Sequence, residues 1–380
     1  MFTALLIKSL PLLERFHTYG HDAYIVGGAV RDLFLRRPIQ DIDIVTSASV
    51  EDIHALFPNA YQINRQHETV TVKWQQQSFE VTTKRGQDLV SDLERRDFTI
   101  NSIALDRHGT LVDPVQGQKD IKEKSIRSFK PEERMKEDPL RILRALRFCS
   151  ELGFGCHSGL QQTIAKLHPL LLNVATERIV KEFERLIAGP YRFQAMQLLL
   201  SLSVWRSLPQ FDWKEESIGK LAELPLPEPS SPELRWSAIS LCLDWKDSAP
   251  LKQLLLSNQL KKAVNEYRTY FTIREQKSWT AFMLYQASLP TALEVEQLRT
   301  IFGKPAVSVR QLTNMWEELA IHHRSELALN GHDLMIASEQ PAGRWIKQEL
   351  ELAEKVVIEK LLPNEKHVLL AELERRRFSK

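Results

Sequence analysis

The pattern of apolar residues changes near Asp113-Pro114, and this change limits which folds the chain can adopt. Before that point, the short β-rich runs AYIV, IDIV, ETVTVKW and SFEVTT alternate with the helix-like segments VRDLFL and SVEDIHALF. From about Lys130 onward, long segments carry the apolar spacing of helices, with few alternating stretches. The sequence therefore predicts an α+β protein in which a mixed α/β unit is followed by helices.

Length and composition are typical of a folded protein with several packed units. A chain of 380 residues, 43% of them hydrophobic, is long enough for roughly two to four units. The proline-rich segment LPLPEPSSPEL, residues 224–234, is the clearest interruption in the second half. The absence of a long apolar run and of a signal-peptide pattern predicts a cytoplasmic location. The three cysteines include no C-x-x-C pair, which argues against a zinc site or a disulfide framework.

The stretch YIVGGAVRD, residues 24–32, predicts a strand that enters a double-glycine turn and then a helix. Gly27 and Gly28 let backbone amides approach a phosphate closely, and the N-terminus of the following helix favours an anion. A Gly-Gly pair alone is more often a plain tight turn. The phosphate-binding interpretation depends on the motif that follows it.

The stretch DIDIV, residues 41–45, places Asp41 and Asp43 two residues apart on a predicted strand. Because side chains alternate along a strand, both carboxylates should point to the same face. Two ionised carboxylates at close range need a cation between them, and Mg²⁺ bound by carboxylates and substrate phosphates meets that need. Glu80, in the run SFEVTT, is a candidate third carboxylate, although an ordinary exposed strand glutamate is an equally good interpretation.

Four motifs in order resemble the class II tRNA nucleotidyltransferases, a family that also contains the bacterial poly(A) polymerases. They are GGAVRD, DIDI, RRDFTINSIAL at residues 95–105 and EDPLRILRALRF at residues 137–148. Together they span roughly the first 155 residues. The segments ERIVKEFERLI, residues 177–187, and ELALNGHDLM, residues 326–335, resemble later parts of the family more weakly.

The resemblance implies a role for each motif. Asp41 and Asp43 would hold the Mg²⁺ ions that activate the primer 3′-hydroxyl, and with Glu80 they are the predicted catalytic residues. Arg96 would contact the phosphates of the incoming nucleotide. The full set of predicted nucleotide-binding residues is Gly27, Gly28, Arg31, Arg96, Asp138, Arg141, Arg144 and Arg147.

The motif EDPLRILRALRF predicts a helix that reads the nucleobase. Asp138 suits an N-cap followed by Pro139 at the first helical position, and Arg141 is three residues further on the same surface. A carboxylate can accept a hydrogen bond from the cytosine N4 amino group, and a guanidinium can donate to the other acceptors of the cytosine edge. Arg144 and Arg147 continue the stripe. An intrahelical ion pair is the simpler interpretation of Asp138 and Arg141 in isolation, and the accompanying motifs favour the base reader.

The segment GQDLVSDLE, residues 86–94, joins the run ending at Arg85 to the RRDFT motif through only nine residues. In the family, a flexible loop in this region adjusts the site for ATP, and members that add only two cytidines have a shortened loop. The resemblance therefore predicts addition of CC from CTP. A complete CCA-adding enzyme that also uses ATP is the alternative, and a poly(A) polymerase or a catalytically silent RNA-binding protein is a more distant one.

The resemblance also implies an architecture and a set of partners. A nucleotidyltransferase head of residues 1–128 would precede an elongated helical remainder. This remainder would comprise a neck at 129–200, a body at 201–275 and a tail at 276–380 that binds the acceptor stem and T-arm of tRNA. A CC-adding enzyme would also need a separate A-adding enzyme acting after it.

Overall fold

The computed structural model describes residues 4–62, 69–208, 214–245 and 249–377. The chain divides into two compact units, Met1–Glu223 and Leu224–Lys380. The first unit contains a six-stranded sheet near its beginning, and helices dominate the rest of both units. The predicted order, an α/β part followed by helices, is confirmed. Within the described ranges, the helices lack the combination of length and apolar character that a membrane crossing requires.

The sheet of the first unit has the strand order β3-β4-β2-β1-β5-β6. Strands β2 and β4 run parallel, and the other neighbouring pairs are antiparallel. Their buried residues are mostly β-branched and aliphatic, which suits a sheet covered by helices. The strands are β1 (Ala23–Val26), β2 (Asp43–Thr46), β3 (Thr69–Trp74), β4 (Gln77–Thr83), β5 (Ala104–Leu105) and β6 (Leu111–Val112).

The register of the central strands brings the predicted site residues to one end of the sheet. Asp43 is the first residue of β2 and lies opposite Val26, the last residue of β1. Asp43 also lies beside Glu80 in the parallel ladder between β2 and β4. Because paired residues project to the same face, Asp43 and Glu80 are side-chain neighbours immediately next to the Gly27 turn.

Some helices of the first unit pack on the sheet, and the later ones form the rest of the unit. Helix α7 (Arg141–Leu152) packs against α9 and α10, with Ile142, Leu143 and Leu146 fully buried. Three 3-10 turns lie at Thr99–Asn101, His168–Asn173 and Val204–Ser207. The helices are α1 (Ala4–Thr18), α2 (Gly28–Phe34), α3 (Val50–Leu56), α4 (Leu89–Glu94), α5 (Gly117–Lys122), α6 (Pro131–Glu137), α7 (Arg141–Leu152), α8 (Ser158–Leu167), α9 (Thr176–Ala188), α10 (Arg192–Ser201) and α11 (Glu215–Glu223).

The second unit is helical throughout its described residues and has cores of its own. One core includes Ile321, Leu329 and Val357, and another includes Trp279, Val295 and Leu312. A 3-10 turn lies at Arg324–Glu326. The helices are α12 (Pro232–Cys242), α13 (Ala249–Gln253), α14 (Asn258–Ile273), α15 (Ala281–Ala287), α16 (Leu289–Ile301), α17 (Val309–Glu317), α18 (Gly331–Ser338), α19 (Arg344–Ile358) and α20 (Lys366–Arg377).

Three local details differ from the prediction. Strand β2 begins at Asp43, so Asp41 precedes the strand, although the backbone ladder extends to a hydrogen bond from Glu80 N to Ile42 O. Helix α7 begins at Arg141, because residues 138–140 form a turn in which the Asp138 carboxylate accepts the Leu140 N–H. Strand β8 (Gly155–Cys156), which pairs with β7 (Ser125–Ile126), lies where only helices were expected.

Candidate active site

The double-glycine turn has a backbone that a larger residue would not tolerate. Gly27 has φ 73°, in the left-handed region. A Cβ atom at this position would lie 3.1 Å from Oδ2 of Asp43 and 3.4 Å from Nη1 of Arg96. The turn therefore approaches the carboxylate of one motif and the guanidinium of another. Helix α2 begins at Gly28, directly after the turn, as the sequence predicted.

Asp43 and its neighbours form a concentration of negative charge. Burial, the charge of Glu80 and the charge of Asp41 raise the pKa of Asp43 above its ordinary value, while the charge of Arg96 opposes them. Asp41 and Glu80 are exposed. Within the described part of the chain, the carboxylates of Asp41 and Asp43 make no ion pair or hydrogen bond. This pair of carboxylates is suited to a cation.

The donor set suits a metal that takes only part of its shell from the protein. No group of three or more His, Cys, Asp or Glu residues is placed to enclose a metal ion among the residues that the structure describes. Mg²⁺ is usually bound by one or two carboxylates and completes its octahedron with water and substrate phosphates. Asp41 and Asp43 fit that requirement, and Glu80 lies beside them on β4.

Arg31 is anchored by three neighbours. Its Nη1 donates to Oδ1 of Asn101 at 2.7 Å, and its Nε and Nη2 bond the Asp32 carboxylate at 3.1 and 3.0 Å. The guanidinium also lies over the Phe148 ring, 5.2 Å from its centroid. A Cβ atom on Gly28 would lie 3.4 Å from Nη2, so this arginine borders the turn.

The nine-residue join folds into a turn and the short helix α4. Asp88 is the N-cap, and its side chain and that of Ser91 form a reciprocal capping box. Gly86 has φ 95°, and a Cβ atom there would lie only 2.6 Å from Oγ of Ser91. The join therefore has a defined structure, and its geometry requires a glycine at its first residue, Gly86.

Asp92 connects this join to Arg96. The Asp92 side chain is buried, and its Oδ2 accepts from Nε of Arg96 at 3.3 Å. Its Oδ1 accepts from the backbone N–H of Arg85 at 2.9 Å. The sequence singled out Arg96 but not Asp92, because a carboxylate in a connector carries no motif signal of its own.

Asp138 and Arg141, at the start of helix α7, differ in how fully their side chains are bonded. The Asp138 carboxylate pairs with Nη2 of Arg178, on α9, at 2.9 Å. The Arg141 side chain is largely buried, and burial lowers its pKa. Its Nη1 lies 3.6 Å from Glu137 and has no hydrogen-bond partner within the described part of the chain. A buried donor without a partner is costly, so Arg141 is a candidate for bonding a ligand.

The two following arginines are engaged within the protein. Nη2 of Arg144 bonds Oδ2 of Asp97 at 2.5 Å. Burial acts to lower the pKa of Arg144, but the Asp97 carboxylate raises it, and the net pKa is above its ordinary value. Arg147 is only 2% exposed, and its Nε lies 2.7 Å from Glu182. Arg147 therefore faces the interface between α7 and α9, away from solvent. Of the predicted stripe of arginines, Arg144 and Arg147 are therefore held by carboxylates of the protein, whereas Arg141 has a nitrogen that makes no hydrogen bond among the described residues.

Asp97 links the two halves of the site. It follows Arg96 in the RRDFT motif, accepts from Phe98 N at 2.8 Å and Asn101 Nδ2 at 3.1 Å, and pairs with Arg144. Burial acts to raise the pKa of Asp97, but Arg144 and these hydrogen bonds lower it below its ordinary value. Sequence reasoning missed Asp97, Arg178 and Glu182 as site residues, although each lies within a quoted motif. Their spacing gives no indication of partners so distant in the chain.

Family comparisons cover most of the chain. Residues 23–127 match the Poly A polymerase head domain. Residues 153–214 match the model for the RNA- and SrmB-binding site of polymerase A. Residues 228–373 match tRNA nucleotidyltransferase domain 2. The CC-adding tRNA nucleotidyltransferase of Halalkalibacterium halodurans is 40% identical over 97% of this chain and 98% of its own. The CCA-adding enzyme of Geobacillus stearothermophilus is 36% identical over 96% and 95%.

Solved structures agree with these relatives. The crystal structure of the Bacillus stearothermophilus CCA-adding enzyme in complex with CTP matches with a TM-score of 0.92 and 35% identity, over 100% of this chain and 99% of its own. The Thermotoga maritima CCA-adding enzyme complexed with tRNA shares the fold, with a TM-score of 0.66 and 19% identity. With identity above one third along nearly its whole length, this chain belongs to the tRNA nucleotidyltransferases, the family of the CC-adding and CCA-adding enzymes.

Proposed function

We propose that this tRNA nucleotidyltransferase transfers two CMP units from CTP to the 3′ end of tRNA, releases pyrophosphate at each step, and stops before the terminal adenosine. The observation that carries this proposal is the join between Arg85 and Arg95. Its nine residues are used up by the Gly86 turn, the Asp88 cap and helix α4. No residues remain for a flexible loop that could readjust the base-reading side chains.

The catalytic role falls on the carboxylates at the start of β2. Asp41 and Asp43 would hold Mg²⁺, which when bound would activate the primer hydroxyl and neutralise the triphosphate. The Gly27 turn and the start of α2 offer backbone amides to the phosphates, and Arg31 and Arg96 border that turn. Glu80 adds negative charge beside Asp43 and is the proposed third catalytic carboxylate.

Base selection is assigned to the start of α7. The Asp138 carboxylate would accept from the cytosine N4 amino group, and Arg141 would donate to the cytosine O2 and N3 acceptors. Arg178 pairs with the Asp138 carboxylate at 2.9 Å. Among the described residues, Nη1 of Arg141 has an ion pair with Glu137 at 3.6 Å but no hydrogen bond, so it could donate one to the base. Adenine is wider than cytosine and would require both side chains to move. Arg144 and Arg147 would act by holding α7 against Asp97 and Glu182.

The domain roles and partners are proposed with the activity. Residues 1–128 would be the catalytic head, 129–200 the neck, 201–275 the body and 276–380 the tail. The helical parts would bind the acceptor stem and T-arm of tRNA through phosphate contacts, a salt-sensitive mode. A second enzyme that adds the terminal adenosine would act on the product.

The relatives support both the leading activity and one alternative. A relative named as CC-adding is 40% identical, and relatives named as CCA-adding reach 36%. Complete CCA addition is the second candidate, because the match to a CCA-adding enzyme spans the whole chain with a TM-score of 0.92.

The length of the product separates these candidates. We expect tRNA that lacks its 3′ end to grow by two nucleotides with CTP alone, and by the same two when CTP and ATP are supplied together. Growth by three nucleotides with both substrates would favour the complete CCA-adding activity. Long adenosine tails with ATP alone would favour a poly(A) polymerase.

A further inference from the structure

Asp92 is a buried carboxylate with no role in the proposed mechanism. Its side chain is 5% exposed, and it lies on α4, inside the nine-residue join. Both of its oxygens are engaged, one with a backbone amide and the other with a guanidinium. A buried charge of this kind is retained only where its partners are held in fixed positions.

The geometry of Arg96 shows what this carboxylate does. Asp92 occupies Nε of Arg96, on one edge of the planar guanidinium, at 3.3 Å. The opposite end points into the site, since Nη1 is 3.4 Å from the position that a Gly27 Cβ would occupy. Arg96 also lies close enough to Asp43 to oppose the rise in its pKa. Asp92 thus holds Arg96 at Nε, which leaves Nη1 beside the Gly27 turn.

An arginine that is not held in this way would have two disadvantages. It would lose side-chain conformational entropy on every binding event, whereas a fixed donor costs no reorganisation when charge arrives. It could also move onto the Asp43 carboxylate and compete with a cation there. Both effects would weaken binding of the nucleotide triphosphate.

We infer that Asp92 is a positioning residue, which holds Arg96 so that its terminal nitrogens face the phosphates of the incoming nucleotide and stay off the Asp43 carboxylate. Its second bond, to Arg85 N–H, ties the beginning of the join to the same carboxylate. Through Asp92, the join therefore connects the end of β4 to the RRDFT motif. This inference rests on the proposed phosphate-binding role of Arg96, and it is independent of whether the terminal adenosine is added.

The first test is the substitution Asp92→Asn in the full-length protein. The amide can still accept the Arg85 N–H, but it places no charge against Nε of Arg96. We expect the KM for CTP to rise about tenfold, the effect of one charge-assisted hydrogen bond, while kcat stays within about twofold. The Mg²⁺ concentration needed for half-maximal rate should rise as well. The matched control is Asp52→Asn, the same replacement in the capping box of α3, which removes no contact with Arg96. It should lower the Tm by no more than a few degrees and leave the KM for CTP unchanged.

A double-mutant cycle distinguishes positioning from general stability. If Asp92 acts through Arg96, Asp92→Asn combined with Arg96→Ala should be no worse than Arg96→Ala alone. Additive losses would overturn the inference, as would equal effects of Asp92→Asn and Asp52→Asn on the KM for CTP. If Asp92→Asn does not fold, Arg96→Lys serves instead, because lysine keeps the charge but lacks Nε. A wild-type KM for CTP in Arg96→Lys would also contradict the inference.

The readout separates this inference from the proposed function. Binding of CTP with Mg²⁺ is measured by equilibrium dialysis without tRNA, alongside incorporation. Loss of CTP affinity in Asp92→Asn supports the positioning role even if the wild-type product ends in CCA. A wild-type protein that neither binds CTP nor extends tRNA would refute the proposed function itself.

Discussion

At the residue scale, Asp43 is the point where three separate motifs meet. The Gly27 turn lies against its carboxylate, Glu80 is its neighbour in the parallel ladder, and Arg96 is close enough to influence its ionisation. The net effect is a carboxylate that is harder to ionise than an ordinary aspartate. Such a group gains most from a bound cation, which links the local electrostatics to the proposed chemistry.

Replacing Asp41 and Asp43 together by Asn should abolish incorporation of CMP, with a loss of at least about a thousandfold, because the proposed cation site disappears. The fold should remain stable, since the change removes charges that repel each other. The measurement is radiolabelled CTP incorporation together with a thermal melt. Asp88→Asn is the control, because asparagine is also a good N-cap. Undiminished incorporation by the double variant would refute the catalytic assignment.

Replacing Glu80 by Gln should extend cation binding at Asp43 to lower pH. Burial and then the charge of Glu80 are the main causes that raise the pKa of Asp43, so removing that charge lowers this pKa toward its ordinary value. Cation binding needs the ionised form and should therefore persist further into acid. The apparent affinity for Mg²⁺, measured as a function of pH, should show its acid limb displaced downward. An unmoved or upward-displaced limb would contradict the electrostatic account.

At the scale of elements, α7 depends on α9 for its orientation. Arg178 reaches Asp138 at the beginning of α7, and Glu182 reaches Arg144 and Arg147 one and two turns later. Three contacts from one helix therefore fix both the rotation of α7 and the carboxylate at its start. The specificity proposed for Asp138 is a property of the helix pair.

Arg178→Ala should release the Asp138 carboxylate and weaken selection of CTP. We expect the KM for CTP to rise about three- to tenfold, since one exposed ion pair contributes modestly but here orients a proposed ligand. The control is Arg185→Ala, on the same helix, whose partner Glu151 is not a proposed ligand. Steady-state kinetics with CTP should show the effect only in the first variant. Equal kinetics for the two variants would mean that Arg178 does not orient the base reader.

Glu182→Ala should destabilise the first unit by about 3 kcal/mol, because removing one partner leaves a buried arginine uncompensated. Arg147 is 2% exposed, and Glu151, its other carboxylate partner, is 3.4 Å away. Urea denaturation measures the change, and Glu151→Ala is the milder comparison. Pairing Glu182→Leu with Arg147→Met should recover much of the loss. A change below about 1 kcal/mol in Glu182→Ala would show that the pair does not stabilise the fold.

Local pattern was sufficient to predict part of this architecture. Period-two runs gave the strands, the Gly-Gly pair gave the turn before α2, and helical spacing gave the remainder. What it missed depends on contacts between distant residues. Asp138 was expected at the first turn of a helix, but it precedes α7, and the pairing of its carboxylate with Arg178, forty residues away, was not predicted. The join was predicted as a shortened loop, and helix α4 within it is too short and too polar to give a periodic signal.

At the scale of the whole molecule, the described chemistry is concentrated in one of two compact units. Every predicted site residue lies within Met1–Glu223, whereas Leu224–Lys380 has separate apolar cores. The chain also matches CC-adding and CCA-adding relatives over at least 95% of its length. Overall architecture therefore does not distinguish relatives of the two names. We propose that the nine-residue join separates the two activities.

Addition of adenosine to tRNA that already ends in CC tests this central claim most directly. The substrate is supplied with ATP and Mg²⁺, with and without CTP, and the products are resolved at single-nucleotide resolution. The same preparation must extend tRNA lacking its 3′ end by two cytidines, which establishes that the enzyme is active. We predict no adenosine on the CC-ending substrate. Addition of adenosine at a rate comparable to that of the second cytidine would contradict the account.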